Sequence, residues 1–137
     1  RLCANTGFRL HLIQPLGFDL DDKKLRRAGL DYLEFQNVQV HTDWAAYLSK
    51  AQPKTVYALS TKGIVCYSAV TYQAGDALLF GPETRGLPEN IRMEVGIANV
   101  LRLPMQPESR SLNLSNTVSI VTYEAWRQLD FNSASLL

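Results

Sequence analysis

The sequence predicts an α/β protein with a mostly parallel sheet flanked by helices. Three observations point there. Short apolar runs alternate along the chain with segments of helical periodicity, the order that lays helices over parallel strands. Residues 77–80 (Ala-Leu-Leu-Phe) form a continuous apolar run, as a strand covered on both faces would. Leu114, Val118, Val121, Ala125 and Leu129 recur at spacings of four, three, four and four, which places them along one face of a helix.

Taken in order, Arg1 to Gly7 reads as the last turns of a helix closed by glycine. Residues 8–15 alternate Phe8, Leu10 and Leu12 with Arg9 and His11, a strand stopped by Pro15. Residues 21–29 carry acids first, bases last and a closing Gly29, the order a short helix prefers. Residues 38–40 predict a second strand. Thr42 or Asp43 can cap a helix over 44–51, which ends before Pro53. Residues 56–60 predict a strand, followed by a turn at Thr61, Lys62 and Gly63, whereas 68–72 fits either a turn or a strand end. After the 77–80 strand comes a long polar loop, and Pro88 opens a helix towards Met93. Residues 100–103 form the last predicted strand.

Composition bounds the possibilities. At 137 residues, 46% apolar and 20% charged, the chain fits one globular domain with a real core. A net charge of +1 gives no overall basic field, so any nucleic-acid contact must rest on a local patch. Cys3 and Cys66 lack the spacing of a zinc or redox motif, and two histidines further weaken a metal reading. The cysteines are read as reduced and the compartment as cytosolic. No apolar run approaches the roughly twenty residues of a membrane span, and no signal peptide is visible.

Three predicted strands end in unusual sequence: Leu59-Ser60-Thr61, Phe80-Gly81-Pro82-Glu83 and Leu103-Pro104-Met105. In open α/β sheets ligands bind beyond the carboxyl ends of strands. Neighbouring strands would bring these exits to one site, with residues 111–116 as its lid. That segment holds four Ser or Asn residues in six positions, more than one helix cap needs. Glu83 and Arg85 would form a charged pair at the rim. Gly81 would let a ligand approach the backbone, although turn chemistry explains Gly81 and Gly86 equally well. These residues reach as far as a small-molecule pocket.

FGPETRGLP at 80–88, LPMQPESRSLNLSN at 103–116 and VSIVTYEAWRQL at 118–129 together resemble the second and third motifs of the SPOUT-superfamily RNA ribose methyltransferases. RLCANTGFRLHLIQPLGF at 1–18 and DDKKLRRAGLDY at 21–32 resemble, within that group, the enzymes that methylate the ribose 2′-hydroxyl of the wobble pyrimidine, cytidine or uridine, in the tRNA anticodon. The resemblance implies a deep trefoil knot near the C-terminus, S-adenosylmethionine (SAM) as methyl donor bound in a bent form, S-adenosylhomocysteine as product, and no metal. It implies a homodimer acting on the tRNA anticodon stem-loop, cytoplasmic, with the partner subunit completing the site. The donor would sit against Leu59, Gly81, Leu103 and Ser111. Arg1 matches the arginine of the first motif, to which proton removal is assigned. A guanidinium is almost always protonated, so orienting the ribose or a phosphate is the safer role. Ser111, Asn113 and Glu83 match positions that hold the site together or position substrate. A plain helix cap is the competing role for Asn113, a structural hydrogen bond that for Glu83.

Lys23, Lys24, Arg26 and Arg27, with Arg85 and Arg110, are candidates for tRNA phosphates. A solvated helix face is what most such runs are, and the resemblance favours RNA. Trp126 and Tyr123 fit a core or dimer-interface role better than base stacking. The family's first strand, and the asparagine-containing half of its first motif, would precede Arg1. The expectation is therefore a single domain over 1–137 lacking its first strand and the start of its first helix. This leaves an alternative function, a truncated, non-catalytic SAM- or RNA-binding remnant. A generic nucleotide-binding enzyme fits less well, because no G-x-G-x-x-G or P-loop follows a predicted strand.

Overall fold

The computed structural model describes residues 1–17 and 38–135, in two compact units, Arg1–Gln52 and Pro53–Leu137. The predicted helix over 21–29, and with it Lys23, Lys24, Arg26 and Arg27, lies outside the described residues.

In the first unit, α1 (Leu2–Thr6) ends at Gly7, whose φ of 78° is left-handed and whose N–H donates to the Cys3 carbonyl at 2.9 Å. β1 (Leu10–Ile13) pairs in parallel with β2 (Val38–His41), Leu10 opposite Val38 and Ile13 opposite His41. Both strands are as predicted within a few residues at their ends. α2 (Trp44–Ala51) is capped by Asp43, not Thr42. The Asp43 carboxylate accepts from the Ala46 N–H at 2.7 Å. Tyr47, buried on α2, sets its ring edge-on against both His11 and His41.

The second unit is built on a four-stranded parallel sheet in the order β4-β6-β3-β5. Its strands are β3 (Val56–Leu59), β4 (Val65–Cys66), β5 (Ala77–Phe80) and β6 (Val100–Arg102). β3 and β6 are central, and Ala58, Leu59, Val100 and Leu101 on them are buried. Val121 and Ala125 are also buried in this unit, both on the periodic face of α4 (Leu114–Gln128). α3 (Glu89–Val95) follows Pro88, and a 3-10 turn (Ile97–Asn99) leads into β6.

One expectation changes, one open alternative is decided in favour of the turn, and one strand is new. Residues 77–80 do form a strand, but β5 is at the edge of this sheet and all four residues are half-buried rather than covered on both faces. Residues 68–72 form no strand. The chain turns instead, with the Ala69 N–H donating to the Cys66 carbonyl at 2.9 Å. β4 was not predicted, since a two-residue strand carries no periodicity.

Candidate functional site

Parallel strands all point their carboxyl ends the same way, so β3, β5 and β6 deliver their exit loops to one edge of the sheet. Beyond β3, the Ser60 N–H still donates to Leu101 at 2.9 Å, and a tight turn then closes from the Gly63 N–H to the Ser60 carbonyl at 3.0 Å. The Lys62 N–H donates to Ser60 Oγ at 3.1 Å, which fixes the tip of that turn. Gly63 is buried hard against β6: a Cβ there would lie 2.6 Å from the Leu101 carbonyl carbon and oxygen. Only glycine fits this crossing.

Beyond β5, residues 81–87 fold back on themselves. The Gly86 N–H donates to the Pro82 carbonyl at 2.9 Å, and Gly86 has a left-handed φ of 68°. A Cβ on Gly81 would lie 2.4 Å from the Gly86 carbonyl carbon and the Leu87 nitrogen. The side-chain space at Gly81 is taken up by its own loop, so closure of this turn by itself requires glycine here. Beyond β6, the chain runs through residues 103–112 to Asn113. Asn113 Oδ1 accepts from the Asn116 N–H at 2.9 Å and from Ser115 Oγ at 2.8 Å, capping α4. Its side-chain amide N–H groups have no partner among the described residues.

These segments enclose a cavity of about 720 Å³, within the range of small-molecule and cofactor sites. Leu59, Gly81, Leu103 and Ser111 all line it, as do Glu83, Arg85 and Asn113. Leu59, Phe80, Leu103 and Leu114 give it an apolar portion, and the loop backbones supply polar groups. Glu83 and Arg85 share the wall without an ion pair between them among the described residues, so the expected charged pair is not formed. Arg110 is exposed on the loop outside the lining. Arg1 belongs to the first unit, immediately before α1. Trp126 packs edge-on against Tyr123 and Phe131 and donates its Nε1–H to the Asn132 carbonyl at 3.1 Å, a structural placement. Among the described residues no cluster of three or more His, Cys, Asp or Glu side chains could hold a metal ion.

The lining also contains Lys62, Arg92 and Arg102, which sequence reasoning missed. Each stands alone in the sequence among neutral or mixed neighbours, and only the meeting of the β3 turn, α3 and the end of β6 groups them.

Residues 1–123 match the family model described as the SpoU rRNA Methylase family. The chain belongs to this family. The SpoU-family chain is 59% identical to the tRNA (cytidine(34)-2'-O)-methyltransferase of Escherichia coli (strain K12), over 99% of its own length and 87% of that protein's. It is also similar to a solved structure described as giving structural insights into the 2-OH methylation of C/U34 on tRNA. That likeness has a TM-score of 0.83 at 43% identity, covering 95% of this chain and 80% of the other. An AdoMet-bound rRNA methyltransferase from Sinorhizobium meliloti shares the SpoU fold, with a TM-score of 0.77 at 23% identity over 94% of this chain and 49% of that one.

Proposed function

We propose that the chain transfers a methyl group from SAM to the ribose 2′-hydroxyl of the wobble pyrimidine, cytidine or uridine, in the tRNA anticodon. The observation that carries this reading is the cavity itself. In a chain 59% identical to a tRNA (cytidine(34)-2'-O)-methyltransferase, three strand exits and the start of α4 enclose one space large enough for an adenosyl group.

The residues present fit the donor. Leu59 and Leu103 offer an apolar slot for an adenine ring, and the folded-back 81–87 loop offers backbone hydrogen bonds around it. When bound, the sulfonium supplies an electrophilic methyl group. The chain's own task is to hold the ribose hydroxyl in line with that methyl group and to help its proton leave. Asn113, with Oδ1 committed to the helix cap, has its amide N–H groups left to orient the ribose. Ser111 and Glu83, also on the wall, are assigned to holding the site together or positioning the substrate. Arg1 is assigned to orienting the ribose or a phosphate. Arg85 and Arg110, with Lys23, Lys24, Arg26 and Arg27, are assigned to tRNA phosphates.

The trefoil knot belongs to the same proposal. Its support is the close crossing at Gly63, where the β3 turn lies directly on the β6 backbone. A homodimer is supported by Ile120, Tyr123 and Phe131, large apolar side chains left exposed on and just after α4. A cytoplasmic site fits a tRNA substrate, and among the described residues no helix is long and apolar enough to cross a membrane.

Incubation with labelled SAM and unmodified tRNA tests the reading. Label at the ribose of nucleotide 34 is the expected result. Binding of SAM or RNA without label at that ribose would instead indicate the non-catalytic remnant.

A further inference from the structure

The charge of the cavity does not match the donor alone. Lys62, Arg85, Arg92 and Arg102 line it, with Glu83 the one acidic side chain among the lining residues. SAM carries a sulfonium, an ammonium and one carboxylate, a net cation. Its single carboxylate needs one cationic partner, and the excess positive charge opposes the rest of the molecule. An anion that enters the same space is the natural complement.

Arg92 gives a second, independent sign. Its Nε is buried and has no hydrogen-bond partner. A buried guanidinium N–H left without an acceptor is costly, and native structures rarely retain one without a use. Lys62 and Arg102 flank the crossing where Gly63 meets Leu101, so the tight backbone contact that demands glycine also brings together the backbone segments that carry these two lining residues. No ion pair joins Lys62, Arg92 or Arg102 to an acid among the described residues. Three elements, the β3 turn, α3 and the end of β6, thus aim unpaired cations at one space.

We propose that Lys62, Arg92 and Arg102 form a phosphodiester clamp inside the cavity, gripping the RNA backbone beside the nucleotide to be methylated. The proposal rests on the methyltransferase reading and adds to it the contact that holds the target ribose within reach. Arginine suits the role because its planar fork of donors matches two phosphate oxygens, and lysine adds a point charge.

The test uses the full chain and a tRNA anticodon stem-loop as probe, with binding measured across a salt series and S-adenosylhomocysteine affinity measured by calorimetry. Lys62→Met, Arg92→Met and Arg102→Met should each weaken stem-loop binding about tenfold, the worth of one charge-assisted hydrogen bond. Each should also lower the salt slope by about 0.7 to 1, one phosphate contact. Affinity for S-adenosylhomocysteine should stay within about twofold, and Arg92→Lys should recover part of the RNA binding. Lys62 and Arg102 are exposed, so their variants carry the test even if Arg92→Met fails to fold. Unchanged RNA affinity and salt slope would overturn the clamp, as would a loss confined to S-adenosylhomocysteine, which would assign the cations to the donor carboxylate. Wild-type protein that methylates nucleotide 34 while the variants bind RNA normally removes the clamp alone. Wild-type protein that neither binds the stem-loop nor methylates it removes the functional reading, and the clamp with it.

Discussion

Consider the pair of substitutions Asn113→Ala and Asn113→Asp. Asn113 Oδ1 accepts two hydrogen bonds at the start of α4, from the Asn116 N–H at 2.9 Å and Ser115 Oγ at 2.8 Å. Alanine removes both, but the donors are exposed and water replaces the acceptor. The cost is about 1 kcal/mol, or roughly 3 °C in Tm for a chain of this size. Aspartate keeps the acceptor and adds a negative charge at the positive end of the helix dipole, so stability should hold or rise by about 0.5 kcal/mol. What both variants lack is the amide N–H donor. If that donor orients the ribose, both should lose about 100-fold in turnover, close to 2.7 kcal/mol of transition-state stabilisation. Single-turnover transfer of labelled methyl to an anticodon stem-loop, read beside thermal melting, separates the two effects. An Asn113→Asp enzyme with near-normal turnover, or an Asn113→Ala loss no larger than its loss of stability, would return Asn113 to being a cap and nothing more.

Further outcomes follow from the packing and the hydrogen bonds. Gly63→Ala would drive a Cβ to 2.6 Å from the Leu101 backbone, so urea unfolding should show a loss of more than about 3 kcal/mol, and wild-type-like stability would mean the crossing is loose. Gln128 clamps α4 to the segment before β5. It accepts from the Tyr72 N–H at 2.9 Å and donates to the Val70 carbonyl at 3.0 Å and to Glu124 at 3.0 Å. Because Tyr72 is only 3% exposed, its N–H would be left without water in Gln128→Leu. That variant should lose about 2 kcal/mol in denaturant unfolding, whereas a change below about 0.5 kcal/mol would show the clamp to be dispensable. His11 Nδ1 and His41 Nε2 lie 2.9 Å apart, a contact that fails when both rings are protonated. Burial, then His41, Arg9 and Lys50, hold the His11 pKa below its ordinary value near 6.5. The folded state thus binds this proton less readily than the unfolded one. Stability should be full above about pH 6.5 and fall below it, with a slope of up to about 1.4 kcal/mol per pH unit. His11→Phe should flatten the profile, and an unchanged slope would assign the effect to another group.

Local structure was largely legible in the sequence. Gly7 closing α1, Asp43 capping α2, Pro88 preceding α3 and the periodic face of α4 each depend on neighbouring residues, where propensity and spacing speak directly. The convergence of the Leu59, Phe80 and Leu103 exits was also inferable, because parallel strands share a direction. Other features depend on contacts between distant residues. The order β4-β6-β3-β5 was hidden, and with it the edge position of β5, since an apolar run does not say how many neighbours a strand has. Gly81 reads equally well as a ligand approach or a turn, and the requirement for glycine set by the Gly86 backbone beside it depends on a contact that no local pattern shows. Arg92 and Arg102 carry no signal in the local sequence, and only the packed cavity brings them to one volume with Lys62.

What occupies that volume decides the function of the chain. A crystal structure of the full chain with S-adenosylhomocysteine bound tests it most directly. The adenosyl group should lie within about 4 Å of both Leu59 and Leu103, with residues 81–87 folded against it. Ligand density elsewhere on the molecule, with these side chains closed on one another, would contradict the assignment.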